Sequence, residues 1–339
     1  MSVPAVTLRG TGLVTSALGI GCAGLYGEPS ATRRMQILDA ARASGIRHFD
    51  VAPMYGLGLA ERELGRFARR HREQIVIATK FGIAPTAAAQ AIAPVQTPLR
   101  QLFSTFPALR RRARANAAGP GLGRLGSLLY RASGYDGAGA RASLERSLRE
   151  LDTDHVDLLL LHDPQPGTVR GDDVCDYLER ARDAGLIRAW GIAGEPEPTR
   201  RVTEALPVDP AVLQVRDDPL DCSESSVWGE VAGARITFGV LGRSIARIVE
   251  HVGADPRRRR RWRERVGADC ADPDIVAAFL LKHALRRNEE GVVLFSTTQA
   301  PHVHSAAVAI ADAALGDKDA LDAFAGLIDV ELRAVRADH

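Results

Sequence analysis

Four polar side chains of four chemical types stand at the ends of three short apolar segments. The segments read HFDVAPMYG (48–56), ATKFG (78–82) and LLLLHDP (158–164), and the four residues are Asp50, Tyr55, Lys80 and His162. Apolar runs of this length are typical of buried parallel strands, whose carboxyl ends meet at one edge of a sheet or one mouth of a barrel. The sequence therefore predicts that a carboxylate, a phenol, an amine and an imidazole share one site.

These four groups together suggest acid–base chemistry at a carbonyl group. An ammonium beside a phenol stabilises the phenolate, so we expect Lys80 to lower the pKa of Tyr55. Asp50 would hold the amine in its charged form, and His162 would donate an N–H group to a substrate oxygen. A tyrosine that protonates a developing alkoxide is a general acid. The reaction that needs this acid is carbonyl reduction, with the hydride supplied by a cofactor.

Two features favour this functional interpretation over a structural one. Taken alone, Asp50 could cap a turn, Tyr55 could pack as an aromatic residue, and His162 could be a satisfied core histidine. Lys80 alone could be a surface charge at a strand end. Four separate structural roles do not explain why the residues occur together, in order and at strand ends. Lys80 is also one of only three lysines in a chain with 44 Lys plus Arg residues, which indicates a need for a compact amine whose pKa can be tuned.

The composition is that of an ordinary globular protein. The chain has 339 residues, 45% of them hydrophobic and 25% charged, with a formal net charge of +2, so neither nucleic-acid binding nor a membrane partner is indicated. No secretory leader and no apolar run of the ~18 residues that span a membrane are visible, and we expect a cytoplasmic protein. The cysteines form no CxxC pair and are expected to be reduced, with no metal site. They are Cys22, Cys175, Cys222 and Cys270.

Short apolar runs alternate with amphipathic helical segments, such as 31–44 and 304–315, along the whole chain. Eight strand–helix units with near-continuous apolar strands predict an α/β fold of the (β/α)8 TIM-barrel type, organised as one domain over residues 1–339. In such barrels catalysis takes place at the carboxyl ends of the strands, where all four candidates lie. The predicted strands are 17–23, 48–53, 75–81, 156–162, 187–193, 211–215, 236–240 and 292–296.

Two stretches interrupt this regular alternation. Residues 83–136, directly after the third strand, are rich in Ala, Pro, Gly and Arg, and a loop this long is either functional or disordered. We interpret them as an insertion over the barrel mouth, either a partly helical lid or a mobile solvated segment. The second stretch, 257–265 (RRRRRWRER), is interpreted as a charged helix face, with an anion-binding role as the alternative.

In its motifs the sequence resembles the aldo-keto reductases, including their sugar-oxidising members such as the aldose and fucose dehydrogenases. FDVAPMYG, ATKFG and SLERSLRELDTDHVDLLLLHDP stand in that family's order and spacing, and the resemblance extends over about 18–308, apart from the insertion. It implies the same barrel and a catalytic tetrad of Asp50, Tyr55, Lys80 and His162. It also implies NADPH as cofactor, with NADH possible. The chain has no GxGxxG motif opening a βαβ unit, so a Rossmann fold is excluded.

The resemblance also implies cofactor contacts, and some of these depart from the family pattern. Gln214 would meet the nicotinamide carboxamide and Phe238 would stack on its ring, with Leu241 close by. Ala193 and Gly194 replace a Ser-Asn pair that usually faces the carboxamide. A Lys-Ser pair and a nearby Arg, which usually hold the 2′-phosphate of NADPH, are also replaced. Hydroxyl groups and the N-terminus of a helix could still bind a phosphate there. The residues in place of the pair and the Arg are Ser296, Thr297 and His302, and Thr298 adds a further hydroxyl.

The sequence thus predicts an NAD(P)H-dependent oxidoreductase that reduces an aldehyde, ketone or sugar to an alcohol, or catalyses the reverse. An aldose, a lactone-forming sugar or another polar aldehyde is one substrate class, and a ketone or imine intermediate is the rival class. A non-redox acid–base enzyme with a weakened cofactor site remains an alternative because of Ala193, Gly194 and Ser296. A regulatory binding subunit is a further alternative, which the intact tetrad disfavours. The oligomeric state stays open.

Overall fold

Eight parallel strands close into a barrel in the computed structural model, which describes residues 3–87, 89, 130–132, 134–220, 233–312 and 316–333. The barrel order is β3-β4-β5-β8-β9-β10-β11-β12, and the predicted (β/α)8 fold is confirmed. The described strands are β1 (Ala5–Leu8), β2 (Leu13–Ser16), β3 (Leu18–Gly21), β4 (His48–Asp50), β5 (Val76–Phe81), β6 (Ile83–Pro85), β7 (Tyr130–Ala132), β8 (Val156–His162), β9 (Ile187–Gly194), β10 (Val212–Arg216), β11 (Ala234–Phe238) and β12 (Val292–Phe295).

The strand register determines which residues point into the barrel. Because side chains alternate along a strand, residues two apart share a face. Gly19 pairs with His48 across β3 and β4, and Gly21 pairs with Asp50. A Cβ atom at Gly19 would lie 2.6 Å from Leu294 and 3.1 Å from His48. Glycine is therefore required on β3, because the interior side chains of both neighbouring strands occupy that space.

An N-terminal hairpin of β1 and β2 packs against the interior residues of the barrel. Leu8 and Leu13 are buried in one apolar cluster with interior residues such as Leu158, Ala189 and Val292. This hairpin was not predicted from the sequence. Each of its strands has only four residues, which is too short for a clear alternating pattern.

Helices cover the outside of the barrel, and their inner faces form the larger apolar cluster with the outward side chains of the strands. None of the described helices is long and apolar enough to cross a membrane. They are α1 (Ala31–Ala43), α2 (Ala60–Ala68), α3 (Gly137–Leu151), α4 (Gly171–Asp183), α5 (Pro196–Glu204), α6 (Gly242–Gly253), α7 (Pro256–Val266), α8 (Pro273–Arg287), α9 (Ala300–Ala311) and α10 (Lys318–Ile328).

The arginine-rich stretch 257–265 lies within α7, so the helical interpretation is confirmed. Trp262 points inward and is fully buried, with its ring 6.1 Å from that of Phe324. Several of the outward arginines pair with Asp269 or Glu331. The stretch is therefore a charged outer face on a helix that one tryptophan anchors.

Some predicted boundaries were wrong for local reasons. The seventh barrel strand lies at Ala234–Phe238 rather than 236–240, because Gly239 adopts φ 85° and ends the extended run. The helix predicted at 304–315 begins at Ala300, since Pro301 occupies its first turn, where a missing N–H costs nothing. Residues 313–315 lie outside the described part. Three of the four cysteines are buried and unpaired as expected, and Cys222 lies outside the described residues.

The insertion is described only where it leaves and rejoins the barrel. Its ends, β6 and β7, pair antiparallel as a two-stranded ribbon. Tyr135 follows this ribbon and donates a hydrogen bond from its hydroxyl to the carbonyl oxygen of His162 at 2.6 Å. A Cβ atom at Gly82 would lie 2.0 Å from the Tyr135 ring, so this contact needs glycine. Most of 83–136 lies outside the described residues, and its role as a lid stays a prediction, as does the single-domain organisation.

Candidate active site

The Lys80 ammonium and the Asp50 carboxylate form a buried ion pair at the barrel mouth. Lys80 Nζ lies 2.6 Å from each carboxylate oxygen of Asp50 and 3.2 Å from the carbonyl oxygen of Val51. Asp50 pairs with Ala78 in the register of β4 and β5, so Lys80, two residues after Ala78, faces the same side. Both side chains are almost fully buried. The structure thus brings together the acid and the amine that the sequence analysis placed in one site.

Tyr55 lies beside this pair, at the start of a tight helical turn. Lys80 Nζ lies 5.3 Å from the centre of its ring, and the two side chains influence each other's pKa. The next two residues, Gly56 and Leu57, adopt left-handed φ values of 59° and 57°. A Cβ atom at Gly56 would lie 2.6 Å from the ring of Tyr26. Glycine is therefore needed to bring the turn, and with it Tyr55, close to the barrel wall.

His162 ends β8 and faces Tyr55 at right angles. The two ring centres are 5.9 Å apart with an interplanar angle of 89°. The Nδ1 atom of His162 is buried and has no hydrogen-bond partner among the described residues. All four predicted catalytic residues therefore meet in one place, while their catalytic roles stay a prediction.

The electrostatics of Tyr55 combine two opposing effects. Burial raises the pKa of Tyr55, and Lys80 lowers it as expected from the sequence; burial has the larger effect, so the net shift is upward rather than downward. Burial would lower the pKa of Lys80, but its interactions with the Asp50 carboxylate and the Tyr55 hydroxyl group outweigh burial and raise it. Burial, with a contribution from Lys80, lowers the pKa of His162 to about 3. At neutral pH the ammonium is charged, the phenol is protonated and the imidazole is neutral.

A cavity of about 470 Å³ is lined by all four residues. This volume lies within the range of small-molecule and cofactor sites. The cavity also brings together most of the residues that the resemblance implies for cofactor binding. Those that line it are Ala193, Gly194, Gln214, Phe238, Leu241 and Ser296.

Two of these residues fit a nicotinamide. Gln214 and Asp50 both line the cavity, and the Oε1 atom of Gln214 is buried with no partner within the described ranges. That oxygen can accept from a carboxamide N–H, and the Phe238 ring on the next strand offers a surface for stacking. Ala193 and Gly194 contribute no side-chain donors. Nowhere in the described ranges does a group of three or more His, Cys, Asp or Glu residues form a metal site.

The other three predicted cofactor residues do not line the cavity. Thr297, Thr298 and His302 lie around the N-terminus of α9. Thr297 Oγ1 lies 3.2 Å from His302 Nδ1 and accepts a hydrogen bond from the Gln299 amide. Ser296 lies nearer and donates a hydrogen bond to the carbonyl oxygen of Gly21 at 2.6 Å. Their contact with a 2′-phosphate stays a prediction.

Three charged residues on the cavity wall were not predicted. Asp163, Glu195 and Arg216 all line the cavity. Burial raises the pKa of Asp163, and the nearby Glu195 charge acts in the same direction. The signal for Arg216 was present in the sequence, because it lies two residues after the inward-facing Gln214 on the same strand. Glu195 stands in the same way two residues after Ala193.

The family model for the aldo/keto reductase family matches residues 17–230, which is most of the barrel. The chain belongs to the aldo/keto reductase family. It is therefore an NAD(P)H-dependent carbonyl oxidoreductase by family, with a small-molecule substrate. As an aldo/keto reductase it is similar to D-threo-aldose 1-dehydrogenase of a Pseudomonas species, with 30% identity over 259 residues, or 69% of each chain.

Two further relatives of this aldo/keto reductase cover different extents of the chain. Pyridoxal 4-dehydrogenase of Microbacterium luteolum is 48% identical over 75 residues, which cover 21% of this chain and 22% of that protein. The holo form of an aldo-keto reductase from Bacillus halodurans has a similar structure, with a TM-score of 0.69 over 96% of both chains at 17% identity. At this identity the structural likeness supports the fold alone.

Proposed function

We propose that this aldo/keto reductase interconverts a carbonyl compound and an alcohol, with Tyr55 as proton donor and acceptor. The observation that carries the proposal is the buried Lys80–Asp50 pair, which lies beside the Tyr55 ring at the wall of a cavity. A buried charge pair costs desolvation energy and is weak evidence for a stability role. Its position beside a phenol at the carboxyl ends of barrel strands favours catalysis.

Each residue has a distinct role in this proposal. A bound nicotinamide supplies or accepts the hydride. Tyr55 gives its proton to the substrate oxygen, and Lys80 stabilises the phenolate that remains. Asp50 keeps the ammonium charged and in place. His162, which is neutral, orients the substrate oxygen through an N–H group, and the same groups act in reverse when an alcohol is oxidised.

We further propose an aldose or another polar aldehyde as the substrate, with NADPH as the first cofactor and NADH as the second. The name of the Pseudomonas relative indicates an aldose as its substrate. The cavity wall fits such a substrate, since the Asp163 carboxyl on it can exchange hydrogen bonds with hydroxyl groups. A ketone or imine intermediate is the rival class.

The test combines cofactor titration with one substitution. Fluorescence titration with NADPH and NADH measures binding, and a panel of aldoses, aldehydes and ketones measures turnover. Tyr55→Phe should lower kcat by about 10²–10⁴-fold, the usual contribution of general acid–base catalysis, with cofactor binding unchanged. Tyr177→Phe is the matched control, because Tyr177 is a buried tyrosine on α4. Full activity in Tyr55→Phe would contradict the proposal.

Ala193 and Gly194 favour a second candidate, a non-redox acid–base reaction such as elimination or epimerisation. These two positions offer only backbone groups to a carboxamide, so a weakened nicotinamide site is consistent with them. This candidate predicts that neither NADPH nor NADH binds at micromolar concentrations. It also predicts that Tyr55→Phe still abolishes turnover of its substrate.

A further inference from the structure

Three inward-facing side chains stand in one row at the rim of the cavity. Arg216 and Phe238 are partners in the register of β10 and β11. Val215 pairs with Gly194 on β9, so Glu195 stands beside Arg216 on the other side. All three side chains line the active-site cavity. A carboxylate, a guanidinium and an aromatic ring therefore lie side by side, one step nearer the mouth than Gln214.

The guanidinium of Arg216 is held by Glu195 and Phe238 and lies close to Gly239. Its Nε atom donates to both carboxylate oxygens of Glu195, at 2.8 and 3.1 Å. Its Cζ atom lies 5.1 Å from the centre of the Phe238 ring, within the range of a cation–π contact. A Cβ atom at Gly239 would lie 3.0 Å from Nη1, so glycine leaves the group its space. Within the described residues its two terminal amino groups make no hydrogen bond, since both bonds to Glu195 come from Nε.

We propose that Arg216, held in place by Glu195, binds oxygen atoms of the nicotinamide half of the cofactor. This inference rests on the proposed function. Ala193 and Gly194 offer that half of the cofactor no side-chain donors, whereas Arg216 presents four N–H groups beside Phe238, where the ring is predicted to stack. Its targets are the carboxamide oxygen and the phosphate oxygens of nicotinamide mononucleotide. Arg216 is thus a positioning residue.

The position of Arg216 determines which ligands should depend on it. The candidates for the 2′-phosphate, Thr297 and His302, lie outside the cavity lining, on the far side of β11. NADPH and NADH share the nicotinamide half and differ only at that phosphate. Loss of Arg216 should therefore weaken the binding of NADPH and NADH equally. The binding of 2′,5′-ADP, which lacks the nicotinamide half, should not change.

The experiment measures dissociation constants of the full-length protein for NADPH, NADH and 2′,5′-ADP by titration. A hydrogen bond to a charged group contributes more than a neutral one, so Arg216→Ala should weaken NADPH and NADH by at least about tenfold. Arg216→Lys should recover only part of the affinity, because an ammonium does not reproduce the planar fork. Glu195→Gln should weaken both cofactors less than Arg216→Ala does, since it removes only the anchor.

Arg200→Ala is the matched control. Arg200 pairs with Glu197 at 2.9 Å and with Glu204 on the exposed surface of α5. Exposed ion pairs contribute little to stability, so both arginine variants should fold. Unchanged or tighter NADPH binding in Arg216→Ala would overturn the inference, because the guanidinium would then only cover Phe238. Weaker binding of 2′,5′-ADP would overturn it as well. A wild-type protein that binds neither cofactor defeats the proposed function itself, before any variant is compared.

Discussion

Asp50 and Lys80 compensate each other's charge inside the barrel mouth. Removing Lys80 alone leaves a carboxylate with neither solvent nor a cation, and breaking a buried pair in this way costs about 3–5 kcal/mol. Replacing both residues with apolar ones removes both charges and should cost less. We expect urea unfolding to show a larger loss of stability for Lys80→Met than for the double variant Asp50→Leu/Lys80→Met.

Arg62→Ala is the control for this comparison, since Arg62 pairs with Glu150 at 2.9 Å but is half-exposed. Arg62→Ala should lower the free energy of unfolding by only about 0–1 kcal/mol. If the double variant were as unstable as the sum of the two single variants, the two charges would not compensate each other. All variants of Asp50 and Lys80 should in any case lose turnover, because Tyr55 loses its charged neighbour.

His48 lies in the barrel interior, two residues before Asp50, and makes the stability of the protein depend on pH. It is fully buried, and neither ring nitrogen has a partner among the described residues. Burial, with a contribution from Lys80, lowers its pKa to about 3. The His48 imidazole therefore binds a proton near pH 6.5 in the unfolded chain, whereas in the folded protein it stays neutral down to about pH 3. Stability from this group is complete above pH 6.5 and is lost as the pH falls towards 3.

His48→Leu should flatten this pH dependence. A shifted group changes the free energy of unfolding by about 1.4 kcal/mol per pH unit, so between pH 6.5 and 5 it contributes about 2 kcal/mol. Urea unfolding at pH 7 and pH 5 should show a smaller acid loss in the variant, with the contribution of His162 retained. His304→Leu, on the exposed side of α9, should behave as wild type. An identical acid loss in His48→Leu would refute this assignment.

At the scale of elements, the sequence predicted the barrel strands well and the short or shifted elements poorly. Continuous apolar runs such as 156–162 coincide with a strand, because burial on both faces leaves few polar residues. The hairpin of β1 and β2 was missed, and the strand ending at Phe238 was placed two residues late. Both errors have a local origin, in short strand length and in the left-handed Gly239, which hydrophobicity does not encode.

The residues of the candidate site were likewise predicted only in part. That Asp50, Tyr55, Lys80 and His162 share one cavity could be predicted because each ends an apolar run with a polar residue. Gln214 and Phe238 were placed there only through the family resemblance, and Arg216 was missed although it lies two residues after Gln214. An exposed arginine looks like an ordinary surface charge until the neighbouring strand is placed beside it.

Contact between β9 and β10 depends on the absence of a side chain at Gly191. A Cβ atom there would lie 1.9 Å from the carbonyl oxygen of Val212, a backbone atom that cannot move without distorting the strand. Gly191→Ala should therefore cost about 1–3 kcal/mol or more, the range for overpacking. Gly253→Ala is the control, because a Cβ atom there meets nothing within 4 Å. Urea unfolding should show a lower midpoint for Gly191→Ala than for the wild type, and an unchanged midpoint for Gly253→Ala. Equal midpoints of the two variants would contradict the close approach of β9 and β10.

At the scale of the whole molecule, the barrel divides its tasks between its two ends. The cavity with Tyr55 and Arg216 lies at the carboxyl ends of the strands. The N-terminal hairpin packs its apolar side chains against interior residues from the earlier parts of the strands, such as Leu158 and Ala234. In barrels of this type, residues at the carboxyl ends of the strands carry out the chemistry, and residues at the opposite end contribute to stability.

This division predicts that damage to the hairpin changes stability without changing the active site. Leu8 is completely buried, and Leu8→Ala should cost about 2–5 kcal/mol, the range for a leucine truncated in a core. Val14→Ala, at a position 57% exposed on the same hairpin, should change stability by less than about 0.5 kcal/mol. Urea unfolding gives the stability, and titration with NADPH at a temperature where both variants are folded gives the affinity. If Leu8→Ala weakened NADPH binding under those conditions, the hairpin would support the geometry of the mouth, and the two ends of the barrel would be coupled through its interior.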